Sequence, residues 1–150
     1  MARGATPMIE RVARVALATV FVFAGALKAL DPAAFAQAVF HYRLLPYAAA
    51  AALALYLPWL EMVAGLGVIW AATRLGALNL LVGMSLVFAA AILSALWRHL
   101  DIACGCFGSG PVGSTALIVS LIRSLALALV SGGLLWRELR LPSPPGASPP

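Results

Sequence analysis

Apolar residues gather along this chain into four long runs, separated by short polar or helix-breaking stretches, over about 9–30, 48–72, 75–97 and 115–136. A bilayer's hydrocarbon core takes roughly 20 apolar residues in helical form, and each run reaches that length. Each is rich in Ala, Leu and Val, with polar or breaking residues at its borders. The pattern predicts four transmembrane helices.

The connections differ in kind. Between the first two runs, Asp31 is placed to cap a short helix whose first residue is Pro32. Phe35, Val39 and Tyr42 recur at spacings of four and three, which gives that helix one apolar face. It is too short to span, and it is expected to lie at the membrane interface and to end before Leu44-Leu45-Pro46. The second and third runs meet at Thr73 and Arg74 and should form an antiparallel hairpin. The link from the third to the fourth, residues 98–113, is longer and rich in glycine. Beyond it, half of the last ten residues are proline, so 141–150 reads as a disordered tail. The expected architecture is all-α: one four-helix transmembrane domain over 1–140, with a short interfacial helix between helices one and two.

Arg3, Arg11 and Arg14 ahead of the first run invite a signal-peptide reading. Helix-compatible sequence continues through Lys28 to Leu30, with a boundary only at Asp31-Pro32, and this favours a retained span.

Composition supports a lipid surface. The chain is 63% hydrophobic and 10% charged, whereas soluble domains carry about a quarter charged residues. A chain this short leaves much of its surface exposed, so the lipid bilayer is the partner that surface requires. The net charge of +5 comes from basic residues spread without a stripe or cluster, which excludes nucleic acid. Those charges act as topological signals instead. Arg3, Arg11, Arg14, Arg74, Arg137 and Arg140 fall on one side, against Lys28, Arg43 and Arg98 on the other. The excess places both termini in the cytoplasm and residues 98–113 on the extracytoplasmic side.

That compartment gives Cys104 and Cys106 their meaning. Paired thiols there can cycle or persist as a disulfide. With one residue between them, a disulfide closes only a tight ring; Gly105 relaxes the backbone demand, and strained disulfides are the exchanging kind. Arg98 and His99 are close enough in sequence to favour the thiolate. The bland alternative is two small apolar residues at a helix end. A soft metal ion on the two thiolates, with His99 or His41 as third ligand, is set aside because neither histidine stands at a strong ligand spacing.

Within the spans, Glu61 and Arg123 stand out. An acid in the bilayer costs about 3 kcal/mol on insertion scales and is a functional candidate by default. Counted from the extracytoplasmic helix ends, Glu61 lies roughly 19 Å deep and Arg123 roughly 12 Å, within reach of an ion pair. That pair would either carry chemistry or merely fix helix register. A protonated Glu61 could take up protons or bind a quinone. Lys28, at the end of the first run, is expected to snorkel to the headgroups, or more sharply to meet Asp31 or the cysteine loop. Of Trp59, Trp70, Trp97 and Trp136, three sit near the ends of the runs, as interfacial aromatics do. Gly65, Gly67, Gly83, Gly132 and Gly133 read as sites of close helix contact.

Taken in order, Phe23-Ala24-Gly25-Ala26-Leu27-Lys28, Asp31-Pro32, Phe35, Tyr42-Arg43-Leu44-Leu45-Pro46, Leu57-Pro58-Trp59-Leu60-Glu61 with Gly65, and Cys104-Gly105-Cys106-Phe107-Gly108 resemble the MauE/DoxX group of bacterial membrane proteins, in its MauE branch. The likeness runs over roughly residues 9 to 137. It departs in the last helix, where Arg123 precedes Ser124 rather than the Asn common in the group. The resemblance implies a four-helix bundle in the bacterial cytoplasmic membrane, with links to thiol redox chemistry, to quinone-coupled sulfur oxidation and to maturation of a disulfide-rich periplasmic subunit.

Three functions follow. The first is a membrane thiol–disulfide redox protein, possessing thiol–disulfide oxidoreductase chemistry, that assists oxidation or maturation of an extracytoplasmic cysteine-containing or thioredoxin-like partner through Cys104 and Cys106. The second is a non-catalytic subunit or assembly factor of a membrane complex. The third is a quinone-binding oxidoreductase subunit using Glu61 and Arg123, a quinone being the one cofactor the residues suggest.

Overall fold

The computed structural model describes residues 5–100 and 114–140. Among them the chain forms α1 (Ala5–Leu30), α2 (Pro32–His41), α3 (Tyr47–Gly67), α4 (Arg74–Trp97) and α5 (Ser114–Arg140). Among the described residues, α1, α3, α4 and α5 are long and apolar enough to cross a membrane. The four-span, all-α architecture and the short helix after the first span are as the hydrophobic pattern predicts. The proline-rich segment 141–150 lies outside the described residues.

Local chemistry sets the helix ends. The Asp31 side chain accepts a hydrogen bond from the Ala34 N–H at 2.9 Å, and Pro32 opens α2. That is the side-chain cap and the proline that a helix start favours. After α2 the backbone turns through Arg43 in the left-handed region, φ 52°. Arg98 pins this turn by donating from Nη1 to the Tyr42 carbonyl at 3.0 Å.

The α3–α4 connection is longer than the sequence suggests. α3 stops at Gly67, and residues 68–73 make the reversal. Thr73 Oγ1 donates to the Gly67 carbonyl at 2.9 Å, and Arg74 Nε donates to the Val68 carbonyl at 3.2 Å. These side chains satisfy carbonyls that a helix end leaves without an intrahelical donor. Hydropathy alone could not see this, because the turn residues are themselves apolar.

A core joins the four long helices: Leu17 and Phe21 from α1, Ala64 and Val68 from α3 and its end, Leu78 and Leu81 from α4, and Leu134 from α5. A second cluster closes α4 on α5 through Ile92, Ala95 and Leu117, with Tyr42 set against them. A third lays Phe35 and Ala36 of α2 with Ala54 of α3. The outward faces stay apolar, with Val87 69% and Leu129 77% exposed. A surface this apolar belongs in lipid. Trp59, Trp70, Trp97 and Trp136 are all exposed on it.

At the end of the bundle where α1 and α4 begin and α5 finishes, charges assemble into a network. Glu138 receives Arg14 and Arg74, the latter at 3.0 Å, while Glu10 receives Arg137 at 2.6 Å and Arg14 at 3.4 Å. Of the basic residues assigned to one side by sequence, Arg14, Arg74 and Arg137 are therefore gathered at one end and cross-linked there by two carboxylates.

Glycines divide sharply. A Cβ on Gly25 would stand 2.7 Å from the Pro58 carbonyl oxygen and 2.8 Å from Met62 Cγ. Gly65 faces the Ala18 carbonyl and Phe21 at 3.2 Å, and Gly67 faces Ala77 at 3.1 Å. Gly83, Gly132 and Gly133 have no such neighbour within 4 Å, contrary to the expectation of helix contact there. Gly83 and Gly133 are exposed and Gly132 is half-buried, and small size serves no described packing at any of them. Gly25→Ala is therefore expected to destabilise the fold by about 1–3 kcal/mol, the range for overpacking. Gly133→Ala should be neutral or slightly stabilising, since it relieves about 0.5–1 kcal/mol of backbone entropy in a helix. Denaturant unfolding of both variants in one detergent checks the contrast.

Candidate functional site

Two buried stripes meet between α1 and α3. On α1, Leu17, Phe21, Ala24 and Lys28 are buried at successive spacings of four, three and four, the period of one helix face. On α3 the corresponding stripe includes Ala54, Pro58, Glu61 and Ala64. Gly25 and Gly65 let the two backbones approach at two levels, so the helices run antiparallel in tight register. Each stripe carries one charge where the period calls for an apolar residue. Those charges meet.

Lys28 Nζ donates to Glu61 Oε1 at 2.6 Å and to Oε2 at 2.7 Å. The residues are 3% and 1% exposed. Among the described residues these are the buried charged groups. The ammonium also lies 5.4 Å from the Phe35 ring centroid and 5.0 Å from that of Phe88, distances at which ring quadrupoles attract a cation. Below a protein surface such a pair offsets much of its own desolvation cost; a single charge there would not.

Beside the pair lies a cavity of about 40 Å³, to which all four spanning helices contribute. Lys28 comes from α1, Glu61 from α3, Ser85 and Phe88 from α4, and Arg123, Ser124 and Leu127 from α5. Ser85 is 3% exposed and its Oγ has no hydrogen-bond partner. Pro58, one turn before Glu61, has no N–H to give the α3 ladder.

This geometry corrects two expectations. Glu61 is engaged through both carboxylate oxygens by Lys28 and not by Arg123, which instead lines the cavity next to the pair. Lys28 does not snorkel outward, because α1 ends too early. Gly25 stands opposite Pro58, so α3 continues for eleven residues beyond that level while α1 continues for five. At about 1.5 Å per residue, α1 stops roughly 9 Å short of the start of α3. Phe35 and Ala36 of α2 fill part of the remaining face, and Lys28 is sealed beneath them. Depth counted from chain ends missed this because it assumed that all helices start at one plane. The signal available in the sequence was phase: Lys28 and Glu61 each fall on the buried stripe. The serines were missed for the same reason. Ser120, Ser124 and Ser131 share the buried face of α5 with Leu117 and Leu134. Cys104 and Cys106 lie outside the described residues.

Removing one charge of the pair leaves the other buried and uncompensated. Lys28→Met or Glu61→Leu alone should each cost about 3–5 kcal/mol, whereas Lys28→Met with Glu61→Leu should cost much less than their sum. Equilibrium unfolding of the four members of this cycle checks it, and additive losses would refute the coupling.

Comparison with known proteins agrees with the architecture. The family described as methylamine utilisation protein MauE matches residues 6–137, from the start of α1 to near the end of α5. The Methylamine utilization protein MauE of Paracoccus denitrificans is 33% identical over 131 residues, covering 84% of this chain and 70% of that one. No solved structure gives a significant match. On the extent of these matches, and with the spanning helices falling inside them, the chain belongs to the MauE family and is a multi-pass membrane protein.

Proposed function

We propose that this protein is a membrane thiol–disulfide redox protein of the bacterial cytoplasmic membrane, which assists oxidation or maturation of extracytoplasmic proteins. Cys104 and Cys106 are its exchanging pair, and a cysteine-containing or thioredoxin-like protein is its partner. The thiolate of one cysteine attacks a partner disulfide, or receives attack in its own oxidised form, through a mixed disulfide. Electrons then leave by the second thiol of whichever pair becomes oxidised.

One observation carries the reading. The spans on either side of the cysteines are long enough to cross, with α4 ending at Trp97 and α5 starting at Ser114. A polar, glycine-rich connection between two such helices belongs at a membrane face, where a partner's sulfur can approach. The arginine network at the opposite end of the bundle supports a cytoplasmic assignment for that end, and hence for both termini. The relative from Paracoccus denitrificans is named for methylamine utilisation. For this chain we carry over a maturation role and no particular client.

A second reading, a quinone-binding oxidoreductase subunit, is favoured by one further feature. An apolar groove of about 470 Å³ runs between α2, α3 and α4. Phe35 and Phe88 line it, and the same two rings approach the Lys28 ammonium. A flat apolar ring with hydrogen-bond acceptors would suit that boundary between lipid and charge.

Single-cysteine variants separate the readings. Cys104→Ser or Cys106→Ser, quenched in acid from cells, should yield the protein disulfide-linked to a partner through the remaining thiol, seen as a reducible band. Cys104→Ser with Cys106→Ser should lose activity at normal abundance. Lost abundance points instead to an assembly role, and unchanged activity to the quinone reading. Membrane-impermeant maleimide on intact reduced cells should label the wild type; labelling only after lysis would place the thiols on the wrong side.

A further inference from the structure

We propose that the cavity bounded by Lys28, Glu61, Ser85, Arg123 and Ser124 is a hydration site through which Glu61 exchanges a proton with water. The inference does not depend on cysteine exchange; it rests on the bundle interior alone.

Size and chemistry agree. A buried water needs about 10–15 Å³ of accessible space and two to four polar partners. The cavity offers about 40 Å³, enough for two or three waters, and polar groups from four helices converge on it. Ser85 supplies the second, independent sign. Its hydroxyl is buried, lines this cavity and has no protein partner, a state that costs about 1–3 kcal/mol unless water fills it. A valine or alanine would serve the packing without that cost.

The pair leaves capacity for such water. Lys28 has three N–H donors and directs two contacts to the Glu61 carboxylate. Each carboxylate oxygen accepts more than one hydrogen bond. Water can therefore join Glu61 to the hydroxyls while the ion pair stays intact.

The step itself is proton transfer. A proton arrives through the water and binds the Glu61 carboxylate, which becomes a neutral acid beside the Lys28 ammonium; the reverse step returns it. The charged neighbours are Lys28 from α1 and Arg123 from α5. Phe35 comes from α2, and Ser85 and Phe88 from α4. An ionisable group at this depth is expensive, and proton handling is among the roles that justify it.

Two measurements on the full chain in lipid nanodiscs test the proposal. Infrared difference spectra should show a carboxylic acid band that grows on acidification, shifts in D2O and is missing in Glu61→Gln. Its hydrogen–deuterium exchange should slow by roughly tenfold in Ser85→Leu, the effect of removing one bridging water contact. Radiolytic footprinting of the wild type, in which bound water is the source of radicals, should modify Phe21, although it is only 5% exposed and lines the cavity. The absence of a Glu61-dependent band overturns the proposal. So does an unmodified Phe21, or an unchanged exchange rate in a folded Ser85→Leu protein. Should Ser85→Leu fail to fold, the two wild-type readouts decide.

Discussion

A carboxylate and an ammonium joined inside a bundle that faces lipid commit the helices carrying them to one arrangement. Lys28 and Glu61 sit 33 residues apart in sequence and about one hydrogen bond apart in space. A slip of α1 along α3 by one turn would separate the two charges inside the bundle and leave each without its counter-ion. Gly25 and Gly65 serve this constraint: at each, the opposite helix occupies the space that a side chain would take. The break at Asp31-Pro32 serves it too. It ends α1 below the start of α3 and lets α2 cover the charged position with Phe35. Had α1 continued straight, Lys28 would have been an ordinary mid-helix residue with the same need for a partner but no aromatic cover from the next element.

The two ends of the bundle handle charge differently, and the difference follows from solvent. Near the start of α1, three arginines and two glutamates form a partly exposed network. Exposed ion pairs are individually weak. Their value here is geometric, since Glu138 ties α5 to both α1 and α4 and each arm can rearrange in water. Inside the bundle the same kinds of group appear as one closed pair. Net positive charge at one end sets orientation; neutral pairing within the bundle permits insertion.

Much of this was legible in the sequence because lipid enforces simple rules. Span number, the Asp31 cap, Pro32 at the start of the short helix and the outward tryptophans all follow from length, hydropathy and capping chemistry. The partner of Glu61 was not legible by depth. Arg123 looked right because both residues were measured from helix ends assumed to be coplanar, and the α2 insertion breaks that assumption. Phase would have served better, since Lys28 completes the four-three-four stripe of Leu17, Phe21 and Ala24. The early end of α3 was hidden for another reason. Its turn, Val68 to Thr73, is nearly as apolar as the helix, and only the side chains of Thr73 and Arg74 mark it.

What remains is the relation between the polar interior and the thiols in the connection before α5. Both are tied to α5, the first through Ser124 and Ser120 on its buried face, the second through the segment that leads into Ser114. Thiol oxidation releases protons as well as electrons, and a thiolate's reactivity depends on the charge around it. A hydrated carboxylate on α3, facing Ser124 of α5 across the cavity, would give such chemistry a place to send or draw a proton. A purely structural ion pair would need neither the buried serines nor a cavity to which every spanning helix contributes. The cost of the unpartnered Ser85 hydroxyl in an apolar interior is the physical reason to read the pair as more than a clamp.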